Sequence, residues 1–366
     1  MSKGIIPITM PKWGLSMQEG KVVEWLADEG AALSLGDPVM DIETEKIANT
    51  FEALDAGVLR RRVALEDDVL PIGALLGVIA DAEIDDAAVD AFIEEFQANY
   101  VPPDPEEEES SGWSTIEAGG YRLRWSQMGD GAKNIVLIHG FGGDADRWAF
   151  TQEPLAANAT VYAFDLPGHG QSTKAIRDGS VAALAEIVIA FMDAVGVDSA
   201  ELIGHSLGGA IALQAGIAHP DRVEKLALIA PAGLGAEINV DYLDGFIACD
   251  NRKEMKGLLQ QLVADPELVN RSLVNDMLQF KRIDGVPEAL SKIADGFRNG
   301  DGQTVTLRAG LSGLSMPVKV IWGSEDRIIP AAQAEGLDNA EVHVLPGFGH
   351  LVQLEAAAEV NALLGA

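Results

Sequence analysis

The chain has 366 residues, of which 57 are acidic and 26 basic, so its formal charge is −31. That length predicts two or three domains, at roughly 150 residues each. So negative a surface repels phosphate backbones and anionic lipid, which argues against nucleic-acid and membrane-surface binding. Apolar residues at 48% are enough for buried cores and exclude wholesale disorder. A single cysteine, Cys249, excludes an internal disulfide framework and a cysteine-built zinc site. It fits a reducing, cytoplasmic setting. No run of eighteen apolar residues is present, and the opening MSKGIIPITMPKW lacks the apolar centre of a secretion signal.

Residues 1–83 read as an all-β domain. Short apolar segments alternate with turn residues: IIPITM, GKVVEWLA, DPVMDIETE, FEAL, GVLRRRVA and ALLGVIA. An internal repeat appears when the chain is shifted by 37 positions. Gly20 then falls on Gly57, Gly36 on Gly73, Leu33 on Leu70, Val39 on Leu76 and Ile42 on Ile79. Two similar halves predict a sandwich with pseudo-two-fold symmetry. Gly20 and Gly57 would open matched strands. Gly36 and Gly73 would sit in matched turns, where glycine tolerates positive φ. Between the halves stands Asp41-Ile42-Glu43-Thr44-Glu45-Lys46-Ile47-Ala48-Asn49. A strand enters and another leaves, so Lys46 is expected at an exposed hairpin tip. Its long flexible stem suits a swinging arm, although most lysines at turns merely solvate them.

Residues 84–112 are expected to be a linker. Positions 81–110 hold twelve acids and no Lys or Arg, and VPPDPEEEESSG opposes compact packing. Ile84, Val89, Ile93 and Phe96 hint at a short helix at its start. As a coil, about 29 residues would span roughly 30 Å. Such a tether holds the first domain at high local concentration near the second.

Residues 113–366 change rhythm. Near-continuous apolar runs, NIVLIHG, TVYAFDLPG, AELIGHS, KLALIAP and VKVIWGS, suit strands buried on both faces. Helical stretches such as VAALAEIVIAFMDAVG lie between them, which predicts a parallel sheet covered on both sides. Residues 233–310 interrupt the pattern with helical sequence, expected as a cap over one end of the sheet.

Gly204-His205-Ser206-Leu207-Gly208 is a G-x-S-x-G pattern between an apolar strand and a small-residue helix start. That is the strand–turn–helix setting of a nucleophile elbow. A serine hydroxyl needs a base to take its proton. His350, ending LPGFGH, is the candidate base, and Asp326, in IWGSEDRIIP, is the candidate orienter of its imidazole. The backbone N–H groups of Phe141, in HGFGG, and of Leu207 are candidate oxyanion donors. Asp165-Leu166-Pro167-Gly168-His169-Gly170-Gln171-Ser172 is a further motif. His139 and His169 are expected to shape loops, and His205 to point away from the serine. His219 is expected at a helix end, His343 on a strand face, and Cys249 in packing. No HExxH, metal-ligand spacing or phosphate loop is found.

Residues 5–80 resemble lipoyl domains of the 2-oxo acid and acetoin dehydrogenase complexes through MPKWGLSMQEGKVVEWL, the Gly36-Asp37 turn and ETEKIAN. Biotin-carrying domains place methionines beside the target lysine, whereas Glu45 and Ile47 flank Lys46. The resemblance implies lipoate in amide linkage on Lys46. Residues 113–366 resemble α/β-hydrolases through IHGFGG, DLPGHGQS, GHSLGG and WGSED…GFGH. The whole arrangement resembles the dihydrolipoyl acetyltransferase component of bacterial acetoin dehydrogenase systems. It implies acetyl transfer to coenzyme A. It also implies two partners: thiamine-diphosphate-dependent acetoin dehydrogenase subunits and the flavoprotein dihydrolipoamide dehydrogenase. Better-known dihydrolipoyl acyltransferases carry an H-x-x-x-D-G motif and a small subunit-binding domain, and neither is found here. Two other readings therefore stand beside the first. One is a serine hydrolase, a thioesterase or esterase, fused to a carrier. The other is a carrier with an inert second domain.

Overall fold

The computed structural model describes residues 4–11, 17, 19–34, 36–44, 48–53, 55–102 and 112–365. The chain divides into two compact units, Met1–Gly112 and Trp113–Ala366.

The first unit contains strands β1 (Ile5–Thr9), β2 (Glu19–Trp25), β3 (Ala32–Leu33), β4 (Pro38–Glu43), β5 (Ala48–Glu52), β6 (Gly57–Arg62), β7 (Val69–Pro71) and β8 (Leu75–Ala80). They form two four-stranded sheets, ordered β1-β8-β6-β3 and β5-β4-β2-β7. The 37-residue shift carries β2 onto β6, β3 onto β7 and β4 onto β8, so the two sheets are equivalent in order. Val22, Val39, Ile42, Leu59, Leu76 and Ile79 meet in their shared core. The repeated glycines have a packing cause. A Cβ on Gly20 would stand 3.0 Å from Ile42 Cγ2, and one on Gly57 would stand 2.5 Å from Ile79 Cγ2. The turn glycines Gly36 and Gly73 have φ of 86° and 78°, a region costly for other L-residues. Strands β4 and β5 pair antiparallel with Glu43 opposite Ala48. Residues 44–47 therefore make the connection, and Lys46 among them lies outside the described residues.

The stretch expected as a linker from residue 84 begins instead with helix α1 (Asp86–Asn99). Asp85 starts it, its side chain accepting from Ala87 N–H. Val89 is buried against Ile5, Leu75 and Val78, with Phe92, Ile93 and Phe96 partly buried beside it. Two of the acids that suggested a solvated spacer are matched on the strand beneath. Arg60 pairs with Asp86 at 2.7 Å, and Arg61 with Asp90 at 3.0 Å. Like charge along the sequence thus leaves one helical face free to pack.

In the second unit, β9 (Ser114–Ala118), β10 (Tyr121–Met128), β11 (Lys133–Ile138), β12 (Ala159–Phe164), β13 (Ala200–His205), β14 (Val223–Ile229), β17 (Val318–Gly323) and β18 (Glu341–Leu345) form an eight-stranded sheet. Its order is β18-β17-β14-β13-β11-β12-β10-β9. Pairing is parallel from β18 to β12, and β10 runs antiparallel to β12 and β9. Every residue of β12 is buried, as a strand covered on both faces requires. Helices α2 (Ala149–Ala156), α3 (Val181–Ala194) and α4 (Leu207–Ala218) connect the central strands. Ser180 caps α3 by accepting from Ala183 N–H at 3.3 Å.

Between β14 and β17 lies a helical layer of α5 (Val240–Ala248), α6 (Arg252–Leu259), α7 (Arg271–Lys281) and α8 (Val286–Asp295). The short strands β15 (Arg298–Asn299) and β16 (Gly302–Gln303) and helix α9 (Arg308–Leu311) complete it. Three asparagines start its helices. Asn239, Asn251 and Asn270 accept from Tyr242, Glu254 and Leu273 N–H at 2.8, 3.1 and 2.9 Å, each cap worth about 1 kcal/mol. The buried Lys281 ammonium closes the far end of α5, donating to the carbonyls of Phe246, Ile247 and Cys249. Cys249 is buried, its Sγ 3.3 Å from the Asn251 carbonyl. After β18 the chain ends in α10 (Val352–Glu355) and α11 (Ala357–Leu364).

Candidate active site

Ser206 sits between the last residue of β13 and the first of α4, with φ 54° and ψ −118°. A non-glycine residue held there is strained, and such strain persists only where the surroundings over-determine it. The surroundings are two glycines. A Cβ on Gly204 would lie 2.2 Å from the Gly208 carbonyl oxygen, and one on Gly208 would lie 2.1 Å from that of Ile138. The turn closes only because both positions lack a side chain. Ser206 N–H is held by the Ile229 carbonyl at 2.9 Å.

His350 follows β18, and Asp326 follows β17. The His350 Nδ1 lies 2.7 Å from Asp326 Oδ2, with both side chains buried. Asp326 Oδ1 accepts from Ile328 and Ile329 N–H at 2.8 and 2.9 Å, and Oδ2 accepts from Trp322 Nε1–H at 2.9 Å. Three donors besides the imidazole therefore hold the carboxylate. A carboxylate so placed fixes the tautomer with Nδ1–H toward itself and leaves Nε2 free to accept.

Ser206 and His350 line one cleft together with Gly140, Phe141 and His205. It measures roughly 590 Å³ counted to its open mouth. Its far wall is apolar and comes largely from the helical layer, through Tyr242, Leu243, Phe246, Leu259 and Met277. Burial pushes the Tyr242 hydroxyl well above its ordinary range.

The HGFGG loop passes close over the serine: a Cβ on Gly140 would lie 3.0 Å from Ser206 Cβ. Among the described residues, no acceptor takes the N–H of Phe141 or of Leu207. Two buried histidines hold this loop. Leu166 N–H donates to His139 Nε2 at 2.9 Å, and Gly142 N–H donates to His169 Nε2 at 3.1 Å. Their Nδ1–H groups face the carbonyls of Gly140 and Pro167, at 2.8 and 3.1 Å. Burial lowers His139 to about 4 and, with the neighbouring His139, lowers His169 to about 3. Both are therefore neutral, as these bonds require. Asp165, fully buried, joins the same scaffold by accepting from Ala145 and Gln171 N–H and pairing with Arg124 at 3.2 Å.

His205 departs from the expectation that it points away. Its ring lies 4.8 Å from that of His350, and its Nε2 lies 2.9 Å from the His350 carbonyl. Side chains alternate along β13, so His205 shares the face of Ile203, which clusters with Val352 just past His350. His219 meets Glu186 at 2.8 Å at a helix end, and His343 meets Glu341 at 2.7 Å.

Sequence reasoning missed Glu355. Its carboxylate accepts from Gly349 N–H at 2.9 Å and Ala264 N–H at 2.7 Å. Leu351 N–H also donates to the Leu262 carbonyl at 3.0 Å. The histidine loop and the helical layer are thus stitched together beside His350. Burial raises the Glu355 carboxyl above its ordinary range. A carboxylate that acts on backbone N–H groups leaves no motif in a sequence.

A parallel sheet carrying a serine elbow, a histidine–aspartate pair and a helical cap defines an α/β hydrolase, here joined to a biotin/lipoyl-type β domain. Residues 133–357 match the family described as alpha/beta hydrolase fold, and residues 6–79 match that described as biotin-requiring enzyme. The chain belongs to the family of dihydrolipoyllysine-residue acetyltransferase components of acetoin cleaving systems. It is 44% identical over 367 residues to the member from Cupriavidus necator, covering 100% of this chain and 97% of that one. With the member from Pseudomonas putida it shares 47% identity over 356 residues, covering 97% and 96%. Among solved structures, a 2-hydroxy-6-oxo-6-phenylhexa-2,4-dienoate hydrolase from a Rhodococcus species superposes with TM-score 0.62. That match is 27% identical and covers 69% of this chain and 96% of that one.

Proposed function

We propose that this chain is a dihydrolipoyllysine-residue acetyltransferase of an acetoin cleaving system, working in the cytoplasm. The observation that carries the reading is the union, on one polypeptide, of a lipoyl-type domain and a hydrolase-type cleft lined by Ser206 and His350. Lipoate joined by an amide to Lys46 would supply acetyl as a thioester on its dithiol. The antiparallel pairing of β4 and β5, with Glu43 opposite Ala48, supports this. Ser206 Oγ attacks the thioester carbonyl as His350 Nε2 takes its proton. The Phe141 and Leu207 N–H groups receive the developing oxyanion, for which removal of one donor typically costs 100- to 1,000-fold. As the carbon–sulfur bond breaks, His350 returns the proton to the leaving thiol. Coenzyme A then gives its thiol proton to His350, its sulfur takes the acetyl group, and Ser206 regains its hydroxyl proton. Asp326 holds the imidazole and stabilises its charged form throughout. The upstream partners in this reading are thiamine-diphosphate-dependent acetoin dehydrogenase subunits, and dihydrolipoamide dehydrogenase reoxidises the arm.

A serine hydrolase is the second reading, favoured by the hydrolase names of the structural neighbours. The assay supplies acetyl-dihydrolipoamide with and without coenzyme A and measures acetyl-coenzyme A and acetate. Acetyl-coenzyme A that vanishes in Ser206→Ala supports transfer. Acetate as the sole serine-dependent product supports hydrolysis and overturns the transferase reading.

A further inference from the structure

Among the described residues, the cleft carries one permanent cation that the steps above do not use. Arg147 stands just after the HGFGG loop and lines the same cleft as Ser206 and His350. No Asp or Glu lines that cleft among the described residues, although the chain as a whole carries −31. The arginine stem runs past Gly143, where a Cβ would stand at ordinary contact distance, 3.4 Å, from Arg147 Cγ. The only polar contact of its guanidinium among the described residues is Nη2 to Met277 Sδ at 3.8 Å. Methionine sulfur is a weak acceptor and neutralises nothing. The charge reaches into the site: after burial, it is among the influences that keep His139 neutral. A half-buried guanidinium facing an apolar cleft, with five donors and no carboxylate partner among the described residues, is built to receive an oxyanion bidentately.

We propose that Arg147 is the anion-recognition group of this cleft and binds a phosphate or carboxylate of a reactant whose reacting atom lies at Ser206. Two reactants can bring such a group. One is coenzyme A through its phosphates, which rests on the acetyl-transfer reading. The other is an acyl group ending in a carboxylate, which does not.

The test uses the full chain with Arg147→Gln and Arg147→Lys. Unfolding curves first establish that each variant is folded. One arm compares coenzyme A with pantetheine, which has the same thiol without phosphates, as acetyl acceptor and as ligand in calorimetry. The other compares 4-nitrophenyl acetate with the 4-nitrophenyl half-ester of succinate as Ser206-dependent substrates. A charge-assisted contact predicts that Arg147→Gln weakens the anionic member of one pair about 10- to 100-fold. Its neutral counterpart should be unchanged, and Arg147→Lys should recover part of the loss. Loss confined to coenzyme A supports the site with phosphate as its ligand. Loss confined to the succinate half-ester supports it with carboxylate. If wild type and Arg147→Gln show the same ratio in both pairs, the proposal is overturned. Absence of acetyl-coenzyme A would sink the transfer reading alone, because calorimetry and the half-ester arm still decide Arg147.

Discussion

Replacing Asp326 by Asn keeps the shape of the side chain and removes one acceptor. In wild type the two oxygens together accept from Ile328 N–H, Ile329 N–H, Trp322 Nε1–H and His350 Nδ1–H. An amide facing the two backbone N–H groups with its nitrogen would leave both unsatisfied, at about 1–3 kcal/mol each. Its oxygen therefore stays there, and its NH₂ faces Trp322 and His350. Trp322 keeps a second acceptor, the Ile329 carbonyl at 3.1 Å, so the fold survives. His350 does not escape so lightly: Nδ1 must now accept, the proton moves to Nε2, and the imidazole can no longer take the serine proton. In triads of this kind the change costs about 10,000-fold in kcat, equivalent to about 5.5 kcal/mol. The assay measures kcat for Ser206-dependent acetyl release alongside urea unfolding. We expect the rate to collapse with a stability loss of about 1–3 kcal/mol. A folded variant retaining activity within tenfold of wild type would refute the tautomer argument.

Three further outcomes follow from the same geometry. His139 and His169 are held at about 4 and about 3 in the folded chain, below the unfolded value of about 6.5. On unfolding, each takes up a proton between those limits, so their contribution is intact above pH 6.5 and is lost as pH falls toward 4. The loss is about 1.4 kcal/mol per pH unit for each, and urea unfolding at pH 7, 6 and 5 should show a shallower slope in His169→Gln. An unchanged slope would remove the claim that these rings are neutral. Gly208→Ala should abolish soluble folded protein, since its Cβ meets the Ile138 oxygen at 2.1 Å. Gly36→Ala, with nothing within 4 Å, should cost about 1–2 kcal/mol for its positive φ; equal behaviour of the two in thermal unfolding would contradict this. Glu355→Gln can accept only one of its two N–H bonds, so kcat should fall and its pH profile shift, while Glu355→Asp restores part of both. A profile identical to wild type would reduce Glu355 to a packing role.

What could be read before the structure depended on where chemistry forces residue choice. The serine turn was legible because Gly204 and Gly208 have no alternative. The sheet was legible because strands such as β12 are buried throughout. The pseudo-symmetry of the first unit was legible because Ile42 and Ile79 each demand a glycine opposite. Helix α1 was only hinted at, because its acidic residues mask an apolar face that Arg60 and Arg61 make usable. His205 was misjudged because the carbonyl it meets, that of His350, is remote in sequence. Glu355 and Arg147 were invisible for a common reason: one answers backbone N–H groups, the other an open cleft, and neither partner is written in the sequence.

The central claim is that one chain both carries an acyl group on Lys46 and relays it through Ser206. The most direct measurement is peptide mass analysis of chain whose arm has been loaded with acetyl, quenched before and after coenzyme A is added. We expect an acetyl group on the Ser206 peptide before addition and free serine with acetyl-coenzyme A after it. In Asp326→Asn this acetyl-serine should be lost. A lipoylated, acetyl-loaded chain that delivers acetyl to coenzyme A while Ser206 never gains mass, and does so equally in Ser206→Ala, would contradict the account.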